Sequence, residues 1–307
     1  MPTEISWADE SWNPIIGCSK ISAGCQNCYA EKMARRQACM GNENYRAVTS
    51  YIGEWDHWLG NTKFVESALT KPLHWRKPRK IFVCSMSDLF HESVPFEWVA
   101  RVFYIMGLCY WHQFFVLTKR PKRMREMLTV WHKEQNKGYF FNPNFGPYVQ
   151  YGAELTAEDE IREPHLSYLK AMQRHYKPDW TDKPKTLGEA GYRLPWPLPN
   201  VHLGVTVENP DNVGRIDDLR ATAAAKKFIS LEPLLCGFDV DLTGIDYMFV
   251  GCESGPNARL CKAHAIKHMI RQAQRQDVKV HVKQIPLNGK CNKKIEEWPQ
   301  EFQIREI

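Results

Sequence analysis

The sequence predicts an α/β protein: a mostly parallel sheet, rolled into a partial or complete TIM-type (β/α) barrel and covered by helices. Three observations carry this. Short β-branched or aromatic runs recur along the 307 residues, most are followed by a helical pattern, and the runs are largely apolar rather than alternating. Apolar strands that take turns with helices are what a parallel sheet covered on its faces requires.

Taken in order, a first strand is expected within residues 11–17, and YAEKMARRQA, starting at Tyr29, reads as the first helix. KIFVCS (80–85) precedes FEWVARVFYIMGLCYW, whose apolar residues fit a buried helix. QFFVLT (113–118) precedes PKRMREMLTVWHKEQ, which is amphipathic with Pro near its start. VHLGVTV (201–207) leads to NVGRIDDLRAT, and KKFISL (226–231) leads to a loop with a short helix at most. IDYMFVG (245–251) runs through a Gly/Pro loop to AHAIKHMIRQAQRQ, and VKVHVKQI (278–285) closes the series. Residues 134–199 break this rhythm: they are rich in Pro, Tyr and Trp and too long for a plain connection. They read as an irregular insertion, or lid, over the active face of a single domain spanning 1–307. In such folds the chemistry sits at the carboxyl ends of the strands.

Composition narrows the class. Apolar residues at 43% and charged residues at 25% are globular values. The amino terminus lacks a basic start followed by an apolar run, and no stretch approaches 18 consecutive apolar residues. Neither a secretory signal nor a membrane span is expected, and the reading is a cytoplasmic protein. Ten cysteines in such a chain point to metal binding or buried thiols rather than disulfides. The net charge of +6 is unevenly spread: KPLHWRKPRK (71–80) and KRPKRMR (119–125) each hold five Lys or Arg and no acid. A solvated basic face is the ordinary reading of such runs. The second, however, starts directly after a predicted strand, on the rim where chemistry is expected, so Lys119, Arg120, Lys122 and Arg123 are candidates for nucleic-acid phosphates.

The sharpest local signal is GCSKISAGCQNCYAEKMARR, where Cys18, Cys25 and Cys28 have the spacing C-x6-C-x2-C and Gly17 and Gly24 each precede a cysteine. Glycines allow close wrapping of a bulky inorganic centre, and thiolates are the ligands of iron–sulfur clusters. Three cysteines leave one iron of a four-iron cube open for a substrate or cofactor; Cys39, eleven residues beyond Cys28, is poorly placed as a fourth. A zinc site completed by a distant Cys or His is the alternative. Three acids, Glu208, Glu232 and Glu253, each fall just past a predicted strand end, which fits a polar barrel mouth. Cys252 and Cys261 are either hydrogen-atom donors or inert buried thiols.

The segments SWNPIIGCSKISAGCQNCYAEKMA, IFVCSMSDLFH, VLTKRPKRM, LGVTVENP, FISLEPLL, FVGCESGPNAR and VHVKQ resemble radical S-adenosylmethionine (SAM) proteins, and among them a phage- and mobile-element-associated family long catalogued as of unknown function. The first cysteine gap is six residues rather than the superfamily's three, and Asn27 stands where an aromatic is common. The resemblance implies a [4Fe-4S] cluster on Cys18, Cys25 and Cys28. It also implies SAM cleavage to a 5′-deoxyadenosyl radical and an electron donor such as flavodoxin or ferredoxin. It makes Tyr29, Ser85, Ser87, Asp88, Thr206, Glu208, Ser230, Gly251, Glu253 and Ser254 candidates to hold SAM, a helix cap being the alternative for Asp88. Glu208, Glu232 and Glu253 become the candidate catalytic acids. The implied substrate is a nucleic-acid base, in its most specific form an amino-acid-modified thymine isomerised during phage DNA hypermodification. A radical SAM enzyme for RNA or a peptide, and a noncatalytic nucleic-acid-binding protein with a structural metal, are the alternatives.

Overall fold

The computed structural model describes residues 5–50, 57–136, 139–142, 146–150, 196–255 and 257–307. Its strands are β1 (Glu10–Trp12), β2 (Ile15–Ile16), β3 (Lys63–Phe64), β4 (Lys80–Val83), β5 (Gln113–Thr118), β6 (Tyr139–Asn142), β7 (Gly146–Gln150), β8 (Val201–Thr206), β9 (Lys226–Leu231), β10 (Tyr247–Gly251), β11 (Lys279–Leu287) and β12 (Lys290–Asn292). The α-helices are α1 (Tyr29–Cys39), α2 (Glu43–Arg46), α3 (Glu66–Leu69), α4 (Phe96–Leu108), α5 (Pro121–Asn136), α6 (Arg215–Arg220) and α7 (Ala263–Arg275).

Eight strands form one sheet in the order β1-β4-β5-β8-β9-β10-β11-β12. Every pairing from β1 to β11 is parallel, and only β12, folded back on β11, is antiparallel. The sheet is open, since β1 and β12 are its edges, so the closed form of the expected barrel is not found. It is nevertheless curled. The Trp7 ring lies 4.9 Å from Phe82 on β4 and 4.7 Å from Phe249 on β10. Those strands are four places apart, about 19 Å in a flat sheet, so one ring reaches both only if the sheet bends around it.

The period of two along each strand sorts the side chains. Ile81, Val83, Phe114, Val116, Leu203, Val205, Ile229, Leu231, Met248 and Val250 face the main core, shared with α4, α5, α6 and α7. The other face carries Phe82, Phe115, Phe228, Tyr247 and Phe249 around Trp7 as an aromatic floor. Farther along this face, toward the carboxyl ends, come Thr206 and Ser230, paired in register. The floor is apolar and the mouth polar, so any site is confined to the carboxyl ends.

The antiparallel pair β6–β7 falls inside the segment expected to be irregular, and its backbone lies beside α4 and α5 in the helical layer. Of the rest of that expected insertion, 134–136 end α5 and 196–199 lead into β8, while 137–138, 143–145 and 151–195 lie outside the described residues. Among the described residues, no helix is long and apolar enough to cross a membrane.

One buried histidine, His281, and one half-buried, His202, are expected to make the fold acid-sensitive. His281 on β11 meets Ser6 Oγ at 2.9 Å, and His202 on β8 bonds the Tyr247 hydroxyl. Burial lowers both to about 4; the charges of Arg305, Lys80 and Lys283 add to this at His281, and at His202 burial prevails over the opposing Asp246, with Lys226 and Lys80 acting in the same direction as burial. Both are neutral when folded, so between pH 6.5 and 4 the unfolded chain binds protons that the folded chain does not. Stability is full above pH 6.5 and falls as the pH drops toward 4, by up to about 1.4 kcal/mol per pH unit for each histidine. Urea midpoints measured across this range are expected to fall, and the slope is expected to shrink by about half in His281→Gln.

Candidate functional site

Strand β1 leads to Asn13, whose Oδ1 accepts hydrogen bonds from Ser85 Oγ (3.2 Å) and the Met86 amide (3.0 Å). The turn after β4 is thereby tied to the start of the cysteine loop. Gly17 donates its amide to Met86 O, and its carbonyl accepts from Ser87 Oγ at 2.6 Å. It has a left-handed φ of 91°, and a Cβ there would lie 2.4 Å from Asn61 O, so only glycine fits. Gly24 serves a different close approach, since a Cβ on it would come within 2.9 Å of Glu208 Oε1. Both glycines therefore answer to contacts within the protein, where the sequence reading gave them to a bulky centre.

Cys28 precedes α1, whose first residue, Tyr29, bonds Ser85 O through its hydroxyl at 2.8 Å. Cys84, at φ 56°, turns the chain inward at the end of β4 and brings Ser85, Ser87 and Asp88 to the concave side. A cavity of about 200 Å³ results. It is lined by Cys18, Cys25 and Cys28 together with residues from the ends of β4, β5, β8, β9 and β10 and with Lys283 from the middle of β11. Of the residues expected to hold SAM, Tyr29, Ser85, Ser87, Asp88, Thr206, Ser230, Glu253 and Ser254 line it. Gly251 and Glu208 do not: Gly251 packs against Gln284, and Glu208 lies behind the cysteine loop.

The three strand-end acids are committed to protein partners. Glu208, 0% exposed, accepts from Ser22 Oγ, from the Gly24 amide at 3.1 Å and from Arg215 Nη1 at 2.8 Å. Burial opposes its charge, but Lys119, the Ser22 bond and Arg215 outweigh burial and hold it below the usual carboxylate range. Glu253 accepts from Asn27 Nδ2 (2.9 Å) and from the amide and guanidinium of Arg259, which also reaches Gln26 Oε1 and Ala23 O. These two acids clamp the cysteine loop from two sides. Glu232 pairs with Lys283 and accepts from Gln284 Nε2 at 3.0 Å, forming a charged pair in the cavity wall. Sequence reasoning missed Arg215, Arg259 and Asn27 as the partners. Their signal was proximity in the chain, since Arg215 and Arg259 follow Glu208 and Glu253 by seven and six residues.

The basic run after β5 divides. Lys119 lines the cavity, its Nζ without an ion-pair partner among the described residues. Arg120 is 7% exposed and bonded to Asp88, Glu92 and Ser19, so it is no surface phosphate ligand. Arg123 donates to Val94 O at 2.8 Å, and Lys122 is exposed. Asp88 accepts from Thr118 Oγ1, from the amides of Phe90 and Lys119 and from Arg120, which joins the ends of β4 and β5.

The donor chemistry fits an iron–sulfur cluster. All three thiols are free, half-buried and open to one cavity, with Lys119 and Arg120 as nearby cations for thiolates. Burial raises Cys25, but Lys119 and hydrogen bonds from the Ile21 and Ser22 backbone outweigh it and leave the thiol below its ordinary value. Burial, then Asp88, pushes Cys18 up to about 12 against the pull of Arg120, and burial raises Cys28. Among the described residues, no three of His, Cys, Asp or Glu are grouped to hold a single metal ion. A cube makes a different demand, because each thiolate binds its own iron and the sulfurs need not converge on one point.

An open, curled α/β sheet with a thiol-lined cavity at its carboxyl ends is the class that fold and site define. Residues 2–298 match the family described as protein of unknown function (DUF5131), and the chain belongs to that family. Neither a curated protein nor a solved structure matches the chain.

Proposed function

We propose that this chain is a radical SAM enzyme that acts on a nucleobase of DNA, most specifically by isomerising an amino-acid-modified thymine. Its curled sheet is read as a partial (β/α) barrel. The observation that carries the proposal is the convergence of Cys18, Cys25 and Cys28 with the polar ends of five strands and Lys283 of β11 on one cavity. Bound together, a [4Fe-4S] cluster and SAM supply reductive cleavage of the sulfonium S–C5′ bond and hence a carbon radical.

The protein's part is to bind, orient and exclude water. The three cysteines would hold three irons and leave the fourth without a protein thiolate. Ser85, Ser87, Thr206, Ser230 and Ser254 supply hydroxyls along the wall for the amino-acid and ribose ends of SAM. Lys119, a cation in that wall without an ion-pair partner among the described residues, suits a carboxylate. The aromatic floor around Trp7 closes the cavity from below. Holding the reacting atoms close in a site shielded from water is the main contribution a protein makes to such chemistry.

The DNA assignment follows the sequence resemblance and the exposed Lys122 beside the strand-end rim. A base inside a duplex cannot enter a cavity of this kind, so the target is flipped out or presented single-stranded. DNA affinity is expected to fall with salt, with a log–log slope of about −0.9 per duplex phosphate contacted, and Lys122→Ala is expected to remove about one such unit. Reduced enzyme incubated with SAM and modified phage DNA, then digested to nucleosides, is expected to give a product of unchanged mass and altered retention. Salt-insensitive binding with no altered nucleoside, alongside turnover of a peptide or RNA, would contradict the DNA assignment.

A further inference from the structure

Arg120 follows β5 by two residues, yet its side chain turns inward to the start of the cysteine loop. Nη1 lies 3.9 Å from Cys18 Sγ and 3.1 Å from Asp88 Oδ2. Nη2 donates to Ser19 Oγ at 2.8 Å and reaches Ser19 O at 3.4 Å, while Nε meets both Glu92 oxygens at 2.8 Å. The orientation is fixed from three sides, and the planar fork of a guanidinium is the one side chain that makes all these bonds together. Asp88 is held as firmly, by Thr118 Oγ1 at 2.7 Å and the amides of Phe90 (3.0 Å) and Lys119 (3.1 Å). His91 completes the surroundings, its Nε2 2.8 Å from Ser19 Oγ.

An ion pair needed only to join β4 to β5 would be complete with Asp88 and Glu92. The additional contact with Cys18 Sγ and the two contacts with Ser19 are aimed at the loop itself. Donors directed at a ligand sulfur, and the net charge beside it, are the means by which a protein tunes an iron–sulfur centre. A buried cation here favours the more negative, reduced state of whatever Cys18 ligates, and the Asp88 carboxylate opposes it.

We propose that Arg120 is a positioning residue that raises the reduction potential of the centre ligated by Cys18, with Asp88 as its counterweight of opposite sign. The proposal rests on the cluster reading above. It replaces the phosphate-binding role that the sequence alone gave Arg120.

The experiment is an anaerobic redox titration of the full-length, iron-reconstituted protein, followed by the electron paramagnetic resonance signal of the reduced cluster, with iron content measured for every variant. In Arg120→Met, the ratio of reduced to oxidised centre at the wild-type midpoint is expected to fall about tenfold, which is about 59 mV for a one-electron couple. Arg120→Lys, which keeps the charge and loses the fork, is expected to lie between the two. Asp88→Asn is expected to move the midpoint in the opposite direction. If Arg120→Met fails to retain iron, the opposed shifts of Arg120→Lys and Asp88→Asn still decide the matter. A midpoint unchanged by the Arg120 and Asp88 variants, or shifts of the same sign for both, would overturn the proposal while leaving the cluster in place. A wild-type protein that takes up no iron would overturn both the cluster reading and the role built on it.

Discussion

Cys18→Ala, Cys25→Ala and Cys28→Ala are each expected to abolish the iron–sulfur centre, taking anaerobically reconstituted protein from about four irons per chain to near none. A cube with only two protein thiolates is left open at two corners, and the loop carries no other cysteine to replace the third. Cys39, at the end of α1, is exposed; Cys84 and Cys252 also line the cavity, but both are buried, and burial at Cys84 and the Cys291 bond with burial at Cys252 raise their thiols and disfavour the thiolate. Cys39→Ala is accordingly expected to keep full iron content and brown colour. Iron analysis with visible absorbance checks all four variants. Equal iron in Cys28→Ala and wild type would remove Cys28 from the ligand set.

Glu208→Ala is expected to be the most damaging change among the strand-end acids, although Glu208 does not line the cavity. It deprives Ser22, the Gly24 amide and Arg215 of their shared acceptor in a fully buried position. Removing one partner of a buried ion pair typically costs about 3–5 kcal/mol, because the other charge is left without compensation. The cost falls on the loop that carries Cys25, so iron retention is expected to drop together with the urea midpoint. Glu232→Ala is the contrast, since Glu232 pairs with Lys283 in the cavity wall and its hydrogen bonds are made to Lys283 and Gln284. It is expected to keep its iron. Full iron and wild-type stability in Glu208→Ala, with turnover lost, would instead give Glu208 the direct chemical role that its strand-end position implied.

Six of the seven expected strands were legible because each is a compact apolar run bounded by turn residues, and they lie parallel in one sheet. The first, 11–17, splits at Asn13-Pro14 into β1, which joins that sheet, and β2, which pairs antiparallel with β3. Closure was not legible: whether a parallel sheet joins its edges depends on long-range registers that no local pattern encodes. The cavity residues were largely readable, because strand ends can be counted from the sequence. Their partners were not. Glu208 meets Gly24 across 184 residues and Glu253 meets Asn27 across 226, and nothing local announces that the cysteine loop folds back over those strands. The basic run KRPKR was over-read as one surface. Lys119 and Arg120 follow β5 and both line the cavity, Arg120 turning to Cys18, whereas Lys122 lies in the first turn of α5 and reaches solvent. The helix start at Pro121 is what separates Lys122 and Arg123 from the two strand-end cations.

On the proposed reading, the cysteine-lined cavity cleaves SAM. The most direct measurement is to reconstitute the full-length protein anaerobically with iron and sulfide, reduce it, add SAM, and quantify 5′-deoxyadenosine and methionine. The account predicts both products in equal amounts from wild-type protein and neither from Cys25→Ala. Stoichiometric zinc with no iron uptake, or an intact reduced cluster that releases no 5′-deoxyadenosine with any DNA, RNA or peptide substrate present, would contradict it.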